Sequence, residues 1–274
     1  MRKMGKIILI ILAVLIGLVL IIWVGLKIQP DSFSPLETNA TSPQTTPIPD
    51  GLPAPVERFY RTMYGDSIPV IQSAVITGKA SLRLNGITFP GRFRFTYDVD
   101  RGYRHYIEAT VFGFPLFKVN EWYVDGKGRL ELPGQVVEND ANTNSAGNQG
   151  FYAELMWLAP TLLTDPEVRW EAVDDETAIL VIPFEPSVQR FVVRFDPQTG
   201  RVSAMETMRS RNPGDATKIL WITSSDEWDK VDGFSTFKKC AVTWMDQGTP
   251  WAVFTVEQVV LNPDVSTSLL ARGE

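Results

Sequence analysis

Cysteine and histidine are almost absent from this 274-residue chain: each occurs once, as Cys240 and His105. A lone thiol cannot close an internal disulfide, so whatever folds is held by its core alone. Cys240 alternates with Val242 and Trp244 at period two and reads as a small buried residue, not a reactive thiol. One imidazole and one thiol cannot assemble a zinc site of nitrogen and sulfur ligands within one chain. A Ser-His-Asp or Cys-His arrangement would have to use His105. That residue shares parity with Tyr103, Ile107, Ala109 and Val111, the dry face of a strand, where a buried histidine bonded to a neighbour is expected. The chain also lacks a Gly-x-Ser-x-Gly elbow, a phosphate-cradling loop and a Gly-x-Gly-x-x-Gly turn. No catalytic residue, metal ligand or cofactor is assigned.

Basic residues are scarce as well, 26 against 32 acidic ones, for a net charge of −6. Four of the 26 (Arg2, Lys3, Lys6 and Lys27) flank a single apolar run, which leaves 22 basic against 32 acidic residues for the rest. So acidic a body offers no stripe for nucleic acid and is repelled by anionic lipid headgroups.

What the chain does have is an uncharged run from Ile7 to Leu26. Twenty residues at about 1.5 Å each reach roughly 30 Å, the hydrocarbon thickness of a bilayer. Residues 7–26 are therefore expected to contact lipid as a single-pass signal anchor. Arg2, Lys3 and Lys6 in front place the N-terminus in the cytoplasm and everything after Pro30 outside it. A cleaved signal peptide is the alternative, but its apolar core is about 7 to 15 residues long and ends in a small-x-small site. Trp23-Val24-Gly25-Leu26-Lys27 is poor in that respect. The Ala13-x-x-x-Gly17 spacing would let two such helices approach closely.

Residues 1–28 thus read as basic tail and anchor, 29–54 as a linker, 55–263 as a β-rich body and 264–274 as a tail. In the linker Pro, Ser, Thr and Asn dominate and no period shows, so a semi-rigid stalk is expected. Asn39-Ala40-Thr41 within it is a glycosylation sequon. A short helix opens the body through Val56, Phe59, Tyr60 and Met63, up to Gly65.

Alternating segments then recur: Ala74–Leu84, Arg92–Asp98, Tyr103–Phe112, Leu116–Val124 and Arg129–Leu132. Glu138 to Asn148 is polar and reads as an exposed loop, followed by a helix over about Gln149–Leu163 that Pro160 bends or ends. Seven further strands follow: Arg169–Ala172, Thr177–Phe184, Arg190–Phe195, Val202–Met208, Lys218–Thr223, Thr236–Trp244 and Trp251–Val260. Ten to twelve strands with short connections make a mainly β (α+β) body. The expectation is a large curled antiparallel sheet or half-barrel with a few helices packed inside it.

The segment Glu154-Leu155-Met156-Trp157-Leu158-Ala159-Pro160-Thr161-Leu162-Leu163 resembles the helix signature of a bacterial family known only as a domain of unknown function. That family continues with a Trp-Glu strand, here Trp170-Glu171, and an acidic turn, here Asp174-Asp175. The resemblance extends over Pro53 to about Pro263. It implies importance for Glu154 and Trp157, and draws Pro160 and Trp170 into the same group. The family's basic residue just before the helix is missing, since Gly150 and Phe151 stand there. A meander wrapped around helices is also similar to the lipoprotein-carrier fold, an unclosed barrel that holds acyl chains.

Carboxylates are the abundant reactive groups. Asp174, Asp175 and Glu176 read as a solvated turn, with spacing unlike a calcium loop. Glu154 falls at the edge of the stripe formed by Phe151, Leu155 and Leu158, where a half-buried carboxylate needs a partner. A sheet arginine such as Arg92, Arg94 or Arg104 is the expected one. Eight Trp, seven Tyr and fifteen Phe are enough to line an apolar pocket in a curled sheet.

Three readings follow: an anchored extracytoplasmic protein binding an apolar or lipid-like ligand, a non-enzymatic envelope interaction module without one, and a carboxylate-dependent hydrolase. An apolar cavity of several hundred Å³ open at one rim would mark the first, and a solid interior the second. Two carboxylates facing each other across a cleft would mark the third.

Overall fold

The computed structural model describes residues 2–36, 43–132 and 134–273; the sequon Asn39-Ala40-Thr41 lies outside them. Helix α1 (Arg2–Gly25) carries the apolar run, no residue of which is buried against the rest of the protein before Gly25 at its end. Strand β1 (Thr45–Pro47) pairs with β2 (Ser67–Pro69), and α2 (Ala54–Tyr64) lies between them in sequence.

The body is one antiparallel sheet of 13 strands. One meander comprises β3 (Ser73–Leu84), β4 (Ile87–Asp98), β5 (Gly102–Val111), β6 (Phe114–Val124), β7 (Lys127–Leu132) and β8 (Gln135–Glu138). The other comprises β9 (Arg169–Asp174), β10 (Thr177–Phe184), β11 (Ser187–Phe195), β12 (Val202–Arg209), β13 (Ile219–Val231), β14 (Phe234–Trp244) and β15 (Pro250–Leu261). The two join where β15 pairs with β3, which leaves β8 and β9 as unpaired edges. A twisted sheet of this size curls, and this one stays open, a half-barrel.

The chain between those two edges crosses the concavity as α3 (Ala141–Glu154), a 3₁₀ turn over Leu155–Leu158 and the single turn α4 (Thr161–Thr164). Contacts of α3 with β6, β7, β10 and β12 and of the 3₁₀ turn with β14 place this segment inside, and Leu155, Met156 and Leu158 are fully buried there. Strand alternation supplies the opposing wall, with Phe93, Phe95 and Tyr97 at 0–1% exposure on β4.

Three sequence expectations are corrected. The polar stretch expected as an exposed loop is helical from Ala141, capped by Asp140, whose carboxylate accepts from the Asn142 and Thr143 amides. Its amides point inward: Asn148 donates to Pro183 O and Gln189, and Gln149 to Thr207 and Met208 O. Strand β13 runs eight residues past Thr223, because a register shift between Ser224 and Glu227 interrupts the alternation and hides the rest of the strand.

The linker, finally, is no free stalk over residues 30–36. Phe33 is buried, with the Arg92 and Arg94 guanidinium groups 4.2 and 4.8 Å from its ring centroid, and Ser32 donates to Glu257. Isolated apolar residues dock here one by one on the outer face of the sheet, which periodicity cannot reveal.

Candidate functional site

Strand register brings one row of side chains together inside the half-barrel: Phe95 on β4 lies opposite His105 on β5, and His105 opposite Glu121 on β6. The next row is Tyr97, Tyr103 and Tyr123. The His105 ring lies between Phe95 and Tyr103, with centroids 4.0 and 4.1 Å away. Glu154, the last residue of α3, descends onto this row. Its Oε2 is 2.6 Å from His105 Nε2 and accepts from the Tyr97 hydroxyl at 3.0 Å. On the other side His105 Nδ1 is 3.7 Å from Glu121 Oε2, while Tyr103 donates to Glu121 Oε1 at 2.8 Å.

Glu154 thus pairs with histidine and not with a sheet arginine, which overturns the expected ion pair. Arg92, Arg94 and Arg104 stand on the opposite parity of β4 and β5. They face outward, where Arg92 binds Glu108 at 2.7 Å, Arg94 donates to Ser34 O and Arg104 to Asn120.

Burial opposes a charged imidazole, but Glu154 and Glu121 together outweigh it and raise His105 to about 9. Burial would likewise raise Glu121; His105, Arg209 and the Tyr103 hydroxyl instead hold it down at about 2. Tyr97 and Tyr103 are pushed well above a normal phenol, first by burial and then by these carboxylates. At neutral pH the cluster is consequently an imidazolium between carboxylates. The proton is held firmly on both sides, which suits a structural ion cluster and not a proton shuttle poised near pH 7.

Beside Glu154 lies the small internal gap of the concave face, lined by Trp157, Trp221, Thr223, Phe237, Cys240, Val242 and Phe254 among others. It has room for about one water molecule. Trp157 Nε1, Trp221 Nε1 and Thr223 Oγ1, all from this lining, are buried without a hydrogen-bond partner among the described residues. Trp157 packs on Phe93, Phe95 and Phe254 at 5.8–6.4 Å between ring centroids.

Of the residues singled out from sequence, His105, Glu154 and Trp157 meet here. Pro160 begins α4 below them, and Trp170 stands apart on β9 near Phe195. Glu121, Tyr97, Tyr103, Arg209 and Trp221 were missed. Glu121 was within reach, as an acidic residue sharing parity with Val119 and Tyr123 on β6.

Cys240 is buried in the same lining, and burial followed by Glu154 raises its thiol to about 12. A maleimide at pH 7.5 is expected to leave native protein unlabelled and to modify one thiol per chain after denaturation; fast labelling of the native form would refute the packing described.

A cleft of about 500 Å³ at the rim is polar, lined by Asp100, Asp125, Asp165 and Glu167. In it Asp125 pairs with Arg101, and Asp165 accepts from Tyr152.

A family model described as a family of unknown function (DUF6544) matches residues 42–256. Curated proteins yield no sequence match. Among solved structures the chain is similar to a LolA superfamily protein of Nitrosomonas europaea, at 10% identity and a TM-score of 0.49, covering 81% of this chain and 99% of that one. An outer membrane lipoprotein-sorting protein domain of Vibrio parahaemolyticus follows at 12% identity and 0.42, covering 70% and 86%. A DUF1329 family protein of Desulfovibrio piger stands at 17% and 0.40, covering 80% and 96%. At such scores these likenesses bear on no ligand.

Proposed function

The chain belongs to the DUF6544 family of unknown function, and from its own geometry we propose that it is a membrane-anchored extracytoplasmic domain that acts through its surface, without enzymatic chemistry and without an enclosed ligand. One observation carries this reading. The concavity where a ligand would lie is filled by the chain's own segment, with Leu155, Met156, Trp157 and Leu158 at 0–3% exposure. Burying each such side chain contributes about 1.5–3 kcal/mol, so a ligand displacing all four must offset most of that sum. Helix α1 supplies the anchor, the most apolar window within Lys6–Gly25 having a mean hydropathy of 3.5. The basic residues before it support a cytoplasmic N-terminus.

A second reading, an apolar or lipid-like ligand in the concave face, is favoured by the unpartnered indole N–H groups of Trp157 and Trp221. Buried donors without acceptors are rare and call for an explanation, and the polar end of a lipid would provide one. Native mass spectrometry of the full chain released from detergent separates the two. A bare polypeptide mass is expected. One lipid retained per chain, and lost when Val242→Phe fills the gap, would replace the first reading by the second.

A further inference from the structure

We propose that the edge of the half-barrel nearest the anchor is a membrane-contact surface: the β3–β4 and β5–β6 turns dip into the interface of the bilayer that α1 spans. The inference rests on α1 being that anchor. Three observations carry it.

The first is where the apolar side chains are. Among the described residues beyond the anchor and Ile28, every exposed large apolar side chain except Val173 and Leu270 is in or beside the turns at one end of the sheet. Phe114 is 75% exposed, Leu116 55% and Ile87 50%, with Phe112, Phe117 and Leu84 beside them. A contiguous group of this kind marks an interaction site.

The second is depth. The Phe112 amide donates to the carbonyl of Gly25, the last residue of α1, at 2.9 Å. The two pack closely there, since a Cβ on Gly25 would fall 2.6 Å from the Phe112 ring. A span of 20 residues ending at Gly25 reaches about 30 Å, so its end, and Phe112 with it, is level with the boundary of the hydrocarbon.

The third is a groove of about 600 Å³ between α1 and the β3–β4 turn, lined by Val19, Ile22, Trp23, Leu26, Ile87 and Pro90 among others. Val19 is six residues, about 9 Å, below Gly25 along the helix. The turn therefore reaches alongside a part of α1 that lies within the acyl region, and acyl chains are the occupant that fits a groove walled by a lipid-facing helix. Phenylalanine and tryptophan at such a boundary are favoured by their apolar bodies. The contact is apolar, in keeping with an acidic body that anionic headgroups would repel.

The test uses the full chain reconstituted in phosphatidylcholine vesicles and labelled with an environment-sensitive fluorophore at one introduced thiol, Cys240 being buried. Phe114→Cys reports the edge, Val173→Cys the opposite end, and Val14→Cys the middle of α1. Expected are quenching of the Phe114 label by lipid carrying a nitroxide high on the acyl chain, a blue-shifted emission and several-fold weaker quenching by aqueous iodide than at Val173.

A Phe114 label as open to iodide as that at Val173, with the Val14 label still quenched by deep nitroxide lipid, would overturn the contact and leave the anchor standing. A Phe114 label shielded from both quenchers would also overturn it, since protein and not lipid would cover the edge. Loss of lipid quenching at Val14 would remove the anchor itself.

Discussion

His105→Phe is expected to be among the most destabilising single substitutions in the body. The ring volume and its place between Phe95 and Tyr103 are kept, but the shared positive charge between Glu154 and Glu121 is gone. Removing one partner from a buried ion cluster leaves uncompensated charge and costs about 3–5 kcal/mol. For a domain of this size each kcal/mol lowers Tm by about 2–4 °C.

The pH dependence identifies the cause. His105 rises from its ordinary 6.5 to about 9 in the folded protein. Its contribution is therefore complete below pH 6.5 and lost as pH climbs through 9, a difference of roughly 3 kcal/mol at about 1.4 kcal/mol per unit. Glu121 moves the other way, from 4.5 to about 2, so its contribution is present above pH 4.5 and lost as pH falls through 2. Stability of the native protein should fall between pH 6.5 and 9, and that alkaline decline should vanish in His105→Phe. Glu154→Gln should lower Tm as well and flatten the same limb. Unchanged melting curves for both variants would show that the cluster contributes nothing.

Trp157→Ala is expected to cost a similar amount by a different route. The indole is 3% exposed and touches the Phe93, Phe95 and Phe254 rings. Truncating a buried Trp costs about 3–5 kcal/mol, the lost transfer energy plus the cavity left behind. Here the new void merges with the gap beside Trp221 and Phe237, which limits collapse of the walls. Trp157→Phe retains much of the packing and removes an N–H group that has no partner, so it should lose far less. The contrast, read from thermal or denaturant midpoints, separates packing from polarity. If Phe and Ala cost the same, the indole's specific shape, and not apolar volume, is what the site requires.

Much of the fold was legible because its physics is local. Alternation over Ala74–Leu84 and Arg92–Asp98 depends only on which way successive side chains point, and the sheet has strands there. The same parity that sends Phe93 and Phe95 inward sends Arg92 and Arg94 outward, so the arginine partner proposed for Glu154 conflicted with evidence already in the strand. Asparagine-rich α3 misled for another reason: polarity marks exposure only when no buried partner exists, and Pro183 and Gln189 on other strands provide one for Asn148.

By itself the sequence determined an apolar N-terminal helix, a disulfide-free β-rich body and a buried role for its single histidine, since composition and periodicity are properties of the chain alone. Only the tertiary structure decided that β15 closes against β3, that the segment between the open edges plugs the concavity, and that Glu121, Glu154 and His105 meet. Those contacts join residues 16 to 49 positions apart or more, and local pattern carries no information about which distant faces come together.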